Sequence, residues 1–275
     1  MTLSAEWFFL QREAQLSAEQ IAIGVTALGR ANHAQPGLYA QAFFSLSIGL
    51  ERLCKLIIVA DHAINTNGQY PTDSVLREVG HNLINAIRKC EEIAISTNTS
   101  RDYANRPNDI INQSIAAVLS DFANKTRYYN LSFITGTTGE SVDPIKAWWQ
   151  KVAIPICERH YSERQRTKDL ENTARLTALF GDSSMILHFA EDGAMIKDAQ
   201  EFFGRAGTTA TVQKFGRMYT LQIVRWLAMI LFELSHKGAY LLRIESLLDL
   251  HSPFALFCND DSYLRRRKSW SIYKL

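Results

Sequence analysis

Two short segments in the first half of the chain carry residue types that can act on a phosphate group. Arg77 and His81 are four residues apart, so a helix would place both on one face, one turn apart. Arg101 and Arg106 are five residues apart in the segment RDYANR. A guanidinium binds phosphate, but only a histidine can move a proton near neutral pH. The first pair therefore fits binding and proton transfer, whereas the second fits phosphate binding alone.

The same residues also have a structural interpretation. Arg101 and Arg106 are typical of loop cations that make weak surface ion pairs. His81 equally fits a histidine at a helix start that bonds the backbone or Glu51. Glu51 and Lys55, one helical turn apart on an apolar helix, predict a partly buried ion pair that holds the helix in register.

The densest group of positive charge lies near the C-terminus. Its residues are Arg265, Arg266, Arg267 and Lys268, followed by Trp270 and Tyr273. Cations interleaved with aromatic rings suit phosphate contacts and base stacking, so this run predicts a nucleic-acid contact. The alternative is a charge run that is simply solvated.

Several common kinds of site are excluded by their missing patterns. The chain has no G-x-G-x-x-G, no G-x-x-x-x-G-K-[ST], no H-E-x-x-H and no G-x-S-x-G. The four cysteines are widely scattered, and Cys54 lies in an apolar helix, where a buried free thiol is expected. Glu158, His160 and Glu163 are close in sequence, but their spacing does not converge on one helical face. We expect no metal ion and no cofactor.

Composition predicts a globular protein without a strong overall electric field. The 275 residues are 47% hydrophobic and carry a net charge of +2, so a nucleic-acid site would have to be a local patch. The N-terminus lacks the basic start of a signal peptide. The apolar window 223–234 is interrupted by Arg225 and Glu233 and is too short to span a bilayer. We expect a cytoplasmic protein with no membrane contact.

Hydrophobic periodicity predicts five to seven helices and a small β element. The expected helices span about 17–30, 38–61, 74–96, 109–125, 143–180 and 211–237. Two apolar runs flank Glu191-Asp192-Gly193, which predicts a β-hairpin, and a second hairpin is predicted around residues 259–261. The helix that begins at Asp143 crosses the expected domain boundary near residue 150, so we expect the two halves to pack together.

Two elements within Ala42–Arg88 resemble a known superfamily. The first reads FFSLSIGLERLCKLIIVADHA and the second LREVGHNLINAIRK, with an ER-x-x-K-like helix, a loop and a helix beginning near His81-Asn82-Leu83. This pattern resembles the HEPN superfamily of small helical domains. The resemblance covers roughly the first half of the chain and implies an all-α bundle over residues 1–150. For residues 151–275 the hydrophobic pattern, not the resemblance, predicts a C-terminal helical region with minor β structure. The resemblance also implies RNA as a partner and a homodimer in which the two motif regions form one cleft.

The resemblance further sets a test for catalysis. HEPN ribonucleases carry arginine, usually a polar residue, three or more variable residues and then histidine. Arg101–Arg106 matches the spacing, but Arg106 stands where the histidine should be, and Arg77–His81 is one residue too short. Arg101 and Arg77 are thus the expected phosphate-binding residues, with His81 as the expected proton-transfer residue and Arg106 as a further RNA contact.

Three functions follow as hypotheses. The first is a HEPN-like protein of a bacterial defence or toxin–antitoxin type system that binds RNA or a nucleotide and cleaves RNA if those residues share a cleft. The second is a non-catalytic helical interaction or immunity scaffold with a protein partner. The third is a small-molecule pocket lined by Tyr128, Tyr129, Trp148 and Trp149. The alternative for these aromatic residues is that they belong to the core or line the interface between the two halves.

Overall fold

Helices dominate the molecule, and their ends coincide with caps and breaks in the sequence. The computed structural model describes residues 3–80, 82–97, 105–180 and 188–272. Within that part of the chain the α-helices are α1 (Ala5–Leu28), α2 (Pro36–Asn65), α3 (Asp73–Val79), α4 (Leu83–Ser96), α5 (Ile110–Asp121), α6 (Tyr129–Ile134), α7 (Pro144–Trp148), α8 (Ile154–His160), α9 (Glu163–Phe180), α10 (Ala199–Gly204), α11 (Ala206–His236) and α12 (Asp261–Arg266). An antiparallel pair, β1 (His188–Phe189) and β2 (Met195–Ile196), follows α9. The predicted all-α bundle with a small C-terminal hairpin is confirmed.

Several helix ends carry an added turn of different geometry. π-helical turns extend α5, α7 and α11, and two 3-10 helices precede α12. These turns are Phe122–Thr126, Trp149–Ala153, Lys237–Leu241, Glu245–Leu247 and Ser252–Phe257.

Helices α1 and α2 share the most extensive helix–helix contact in the described part of the chain, and glycines let their two backbones approach. A Cβ atom on Gly49 would lie 2.7 Å from Cγ1 and 3.0 Å from the backbone nitrogen of Ile21. The hydroxyl of Ser17 donates to the carbonyl of Gly49 over 2.8 Å in the buried interface. Gly49 is therefore required by packing, since the backbone atoms facing it cannot rotate away.

Replacing Gly49 with alanine is expected to lower the free energy of unfolding by about 1–2 kcal/mol. Overpacking of this kind costs about 1–3 kcal/mol, and the better helix propensity of alanine offsets up to about 1 kcal/mol. Urea denaturation followed by circular dichroism measures the change. Gly37→Ala is the matched control, because a Cβ on Gly37 in α2 meets no atom within 4 Å. Equal stability of the two variants would contradict the close-contact argument.

Helix α11 is the central element and joins both halves of the chain in one apolar core. It packs against α1, α2, α5, α8 and α12. Trp148 of α7 is fully buried, with its ring 5.4 Å from that of Phe43 in α2. A Cβ on Gly216 of α11 would lie 3.2 Å from the same indole. Trp148 is thus enclosed between α2 and α11.

One helical run is long and apolar enough to cross a membrane when judged by length and composition alone. Among the described residues this run is Ala199–Leu241, and 78% of its apolar window is buried inside the protein. Such burial is also what the core helix of a globular domain shows. The cytoplasmic location and the lack of membrane contact stay predictions.

Three sequence expectations differ from the structure. The described residues contain twelve α-helices instead of five to seven, because the expected helices 74–96 and 143–180 are divided and the short helices α6, α10 and α12 form where no helix is predicted. The expected helix 74–96 is two helices, broken at Gly80, whose φ of 61° lies in the left-handed region. The predicted hairpin at 259–261 is wrong: Asp260 caps α12, its Oδ1 accepting a hydrogen bond from the Tyr263 backbone over 2.8 Å.

The hairpin predicted around Glu191-Asp192-Gly193 is confirmed. His188 pairs with Ile196 and Phe189 with Met195. Gly193 has a φ of 89°, and the Ala190 amide donates to the Ala194 carbonyl over 2.8 Å. The turn thus has the glycine that its backbone requires.

Candidate nucleic-acid interface

The predicted catalytic residues are only partly described by the structure. His81 and Arg101 lie outside the described residues, as does Tyr273. Arg77 is exposed on α3, and its guanidinium pairs with Asp73 on the same helix over 2.6 Å. Arg106 pairs with Glu91 of α4 over 2.6 Å, which is the ion pair that its structural interpretation expects. The catalytic and RNA-binding roles of these residues stay predictions.

The ion pair predicted on α2 is present. Lys55 Nζ lies 2.7 Å from Glu51 Oε1, and both side chains are mostly buried. This pair occupies two of the positions that support the HEPN resemblance. Its two charges neutralise each other, so it stabilises α2 and does not offer a ligand a net charge.

The C-terminal basic run divides into packed and exposed residues. Arg265 lies in α12, and its carbonyl accepts a hydrogen bond from the Arg217 guanidinium over 3.0 Å. The Arg267 guanidinium lies 5.2 Å from the centre of the Trp270 ring, a cation–π contact. Arg266 and Lys268 are exposed. The run therefore offers two exposed cations beside two cations that also anchor the C-terminal segment.

Tertiary packing brings Arg265 to a group of residues that are distant in sequence. The ring of His160, at the end of α8, stacks on Phe215 of α11 at a centroid distance of 3.7 Å and an interplanar angle of 4°. The Arg265 guanidinium lies 5.9 Å from the Phe215 ring centre, and Lys214 Nζ lies 5.3 Å from it. Cations thus gather around one stacked aromatic pair.

Tyr219, one turn beyond Phe215 on α11, links this group to Asp109. Arg159 Nη1 lies 2.6 Å from Asp109 Oδ2 and donates to the Tyr219 hydroxyl over 2.9 Å. The same hydroxyl lies 2.9 Å from Nε2 of His160. The arrangement is self-consistent when Tyr219 accepts from Arg159 and donates to a neutral imidazole. We call Arg159, His160, Lys214, Phe215, Tyr219 and Arg265 the basic cluster.

The electrostatic environment of the basic cluster keeps His160 neutral. Burial lowers the pKa of His160 below its ordinary value, and the positive charges of Arg159, Arg265 and Lys214 lower it further. The carboxylate of Asp109 acts in the opposite direction. The neighbouring cations thus add to the effect of burial, and a bound anion would act against them.

A shallow cleft of about 320 Å³ adjoins the basic cluster. Tyr219 and Asp109 belong to its wall, so cleft and cluster are continuous. Asn105 and Asn108, on the loop before α5, are exposed at the same cleft. Amide side chains can read the edges of nucleobases, while the neighbouring cations contact phosphates.

Local sequence patterns do not identify three members of the basic cluster. The spacing around His160 raises only metal binding, and nothing in the sequence singles out Lys214 or Tyr219. The sequence pattern that bears on the site is the basic run 265–268, which includes Arg265. Packing of α8 and α12 against α11 supplies the rest.

A metal site finds no support in the described residues. In that part of the chain no group of three or more His, Cys, Asp or Glu side chains is placed to hold a metal ion. Searches with protein-family models, against curated proteins and against solved structures find no match to this chain. Function must therefore be argued from the site itself.

Proposed function

We propose that this chain binds RNA on the surface formed by the basic cluster and the exposed side chains of Arg266 and Lys268. The observation that carries the proposal is the convergence of Arg159, Lys214 and Arg265, from three different helices, on the stacked His160–Phe215 pair. Cations contact backbone phosphates, and the partly exposed ring of His160 can stack an unpaired base.

The HEPN-like interpretation is part of this proposal. In it, the N-terminal helices form a bundle that pairs with a second copy, and the protein acts in a bacterial defence or toxin–antitoxin type system. The sequences of α2 and α4 support it, with the Glu51–Lys55 pair at the expected place. Light scattering after size exclusion tests the homodimer, with twice the mass of one chain expected and the mass of one chain contradicting it.

Fluorescence anisotropy with a labelled single-stranded RNA and a labelled RNA hairpin tests binding. We expect saturable binding that weakens with salt, with a slope of log affinity against log salt of about −0.7 for each phosphate contact on a single strand. Absence of saturable binding at about 50 mM salt would reject the proposal, because electrostatic contacts are strongest there.

A denaturing gel with the same RNAs distinguishes cleavage from binding. His160 is the group in the basic cluster that can exchange a proton near neutral pH, so cleavage by the wild type that His160→Gln abolishes would make it a catalytic residue. Cleavage that persists in His160→Gln but is lost in His81→Ala would instead favour the residues expected from the sequence. Intact RNA in every lane would restrict the function to binding.

Protonation of His160 is expected to lower the free energy of unfolding and to raise the affinity for RNA. Folding lowers the pKa of His160 below 6.5, so its contribution to stability is complete above pH 6.5 and is lost as the pH falls through the lowered pKa. Phosphates favour the imidazolium form. RNA affinity is therefore expected to rise as the pH falls toward the lowered pKa of His160, by at most about tenfold per pH unit for one linked proton.

Comparing wild type with His160→Gln isolates this effect from the other titrating groups. Anisotropy measures affinity and urea denaturation measures stability, both across the same pH range. The variant is expected to lose part of both pH dependences. If both profiles are unchanged in the variant, His160 does not face the bound RNA.

The second candidate function is a non-catalytic protein-interaction scaffold, which the surface of α9 favours. Of its 18 residues only Thr173 is buried, while Leu170 and Leu179 are about 68% and 72% exposed. Apolar side chains on such a helix suit a protein partner. Failure of the RNA-binding assay, together with a light-scattering mass that drops on Leu170→Lys Leu179→Lys substitution, would favour this alternative.

A further inference from the structure

A larger cavity, separate from the basic cluster in its lining residues, lies beside the β-hairpin. Its volume is about 780 Å³, which is within the range of small-molecule sites. Four segments enclose it: the turn between α1 and α2, helix α6, the start of α7, and the hairpin with its turn. The aromatic side chains that line it are His33, Tyr39, Tyr129, Phe133, His188 and Phe189.

His33, in the turn between α1 and α2, is the first polar group of the cavity that protein contacts do not satisfy. Both of its ring nitrogens are buried, and neither has a hydrogen-bond partner. Its ring meets Phe202 edge-on at a centroid distance of 5.1 Å and His188 at 6.3 Å. A buried polar group without a partner is costly, and a bound molecule that donates to the ring would remove that cost. Burial lowers the pKa of His33, so the ring is neutral and retains one acceptor nitrogen.

Glu191, in the hairpin turn, is a second buried polar group of the cavity, and its contacts with the protein are long. Its side chain is only 2% exposed, which is unusual for a turn residue. Its carboxylate lies 3.4 Å from Arg205 Nη1 and accepts from the Tyr39 hydroxyl over 3.5 Å, both long contacts. Burial beside this carboxylate raises the pKa of Tyr39, so the phenol stays protonated. These weak bonds leave the carboxylate able to accept a further donor.

The charged side chains that line the cavity indicate which kind of ligand it can bind. The cavity is lined by three carboxylates, Asp143, Glu191 and Asp192, and by one ammonium group, Lys146. The Arg205 contact offsets Glu191 in part, so the cavity remains acidic. Asp143 and Asp192 each use Oδ1 to accept from backbone amides, at 2.7 Å and 3.0 Å. An acidic cavity disfavours phosphate, so this is not a second nucleotide site.

We propose that this cavity binds a small organic cation, an amine or a guanidinium compound. The faces of Tyr129 and Phe133 supply cation–π contacts, and the carboxylates supply charge. The neutral ring of His33 and the carboxylate of Glu191 accept hydrogen bonds from the N–H groups of the ligand. This proposal does not depend on RNA binding by the basic cluster.

Isothermal titration of the full chain with agmatine, spermidine and phenethylamine tests the proposal, with adenosine and AMP as neutral and anionic comparators. Saturable binding of at least one of the three cations, weakened by salt, is the expected result. Binding of adenosine or AMP in preference to every cation would overturn the proposal, and so would binding of none of the three.

Two test variants and one control variant test where the ligand binds and whether its charge is positive. Phe133→Ala is expected to weaken cation binding about threefold or more, while Ile134→Ala is expected to leave it unchanged. Both residues are exposed on α6, but only Phe133 lines the cavity. Lys146→Gln is expected to tighten cation binding, because it removes the one positive lining group. Weaker binding in Lys146→Gln, or equal loss in the two α6 variants, would overturn the assignment.

Discussion

Replacing Lys214, Arg266 and Lys268 together by glutamate is expected to lower RNA affinity at least about a hundredfold at roughly 100 mM salt. Each of these exposed cations is proposed to neutralise an RNA phosphate, so reversal removes three attractive contacts and creates three repulsive ones. The salt dependence is expected to weaken as well, because fewer counterions are released on binding. Fluorescence anisotropy over a salt series measures both quantities.

A matched variant separates this surface from the overall charge of the protein. Lys125, Lys151 and Arg175 are also exposed, and their replacement by glutamate changes the net charge equally. Lys125 and Lys151 line a different cavity, and Arg175 lies on α9. We expect this control to keep most of its RNA affinity. Equal losses in the two triple variants would mean that a diffuse field, and not the basic cluster, attracts RNA.

Replacing Trp148 by alanine is expected to lower the free energy of unfolding by about 3–5 kcal/mol. The indole is fully buried between α2 and α11, so its removal leaves a cavity lined by Phe43 and by the backbone near Gly216. A loss of this size is a large part of the roughly 5–15 kcal/mol that typically stabilises a domain. Urea denaturation followed by circular dichroism measures it.

The neighbouring Trp149 provides the control. It is only partly buried, so Trp149→Ala is expected to cost less than half as much. Trp148→Phe is expected to be milder than Trp148→Ala, because it retains a ring and removes an indole nitrogen that is buried without a partner. A similar loss for both alanine variants would contradict the enclosed position of Trp148.

Elements that depend on local spacing could be predicted from the sequence. The apolar stripe of α2, with Phe43, Leu46 and Leu50, is fully buried, as three- and four-residue steps indicate. Asp143 before Pro144 predicts a helix start, and Asp143 Oδ1 accepts from the amides of Ile145 and Lys146. These predictions succeed because caps and stripes need only residues within one or two turns.

Predictions failed where the same local sequence pattern is compatible with either a buried or an exposed side chain. The sequence analysis predicts the same environment for both tryptophans, yet Trp148 is in the core and Trp149 is at its edge. Tyr128 is largely exposed, and Tyr129 lines the acidic cavity beside the hairpin. The helical phase alone does not determine which face meets the core when several helices are short, so burial of each aromatic residue follows from packing.

The sequence by itself determined the helical class, the long core helices and the hairpin turn, because each follows from periodicity and turn chemistry over a few residues. Only the tertiary structure decided that Arg159, Lys214 and Arg265 meet around His160, and that His33 and Glu191 line one cavity. Arg159, Lys214 and Arg265 lie at successive intervals of about fifty positions along the chain, and His33 and Glu191 are further apart still. Burial of apolar surface on α1, α2 and α11 brings them together. That driving force depends on the area buried and not on how close the residues are in sequence, so a local pattern does not reveal it.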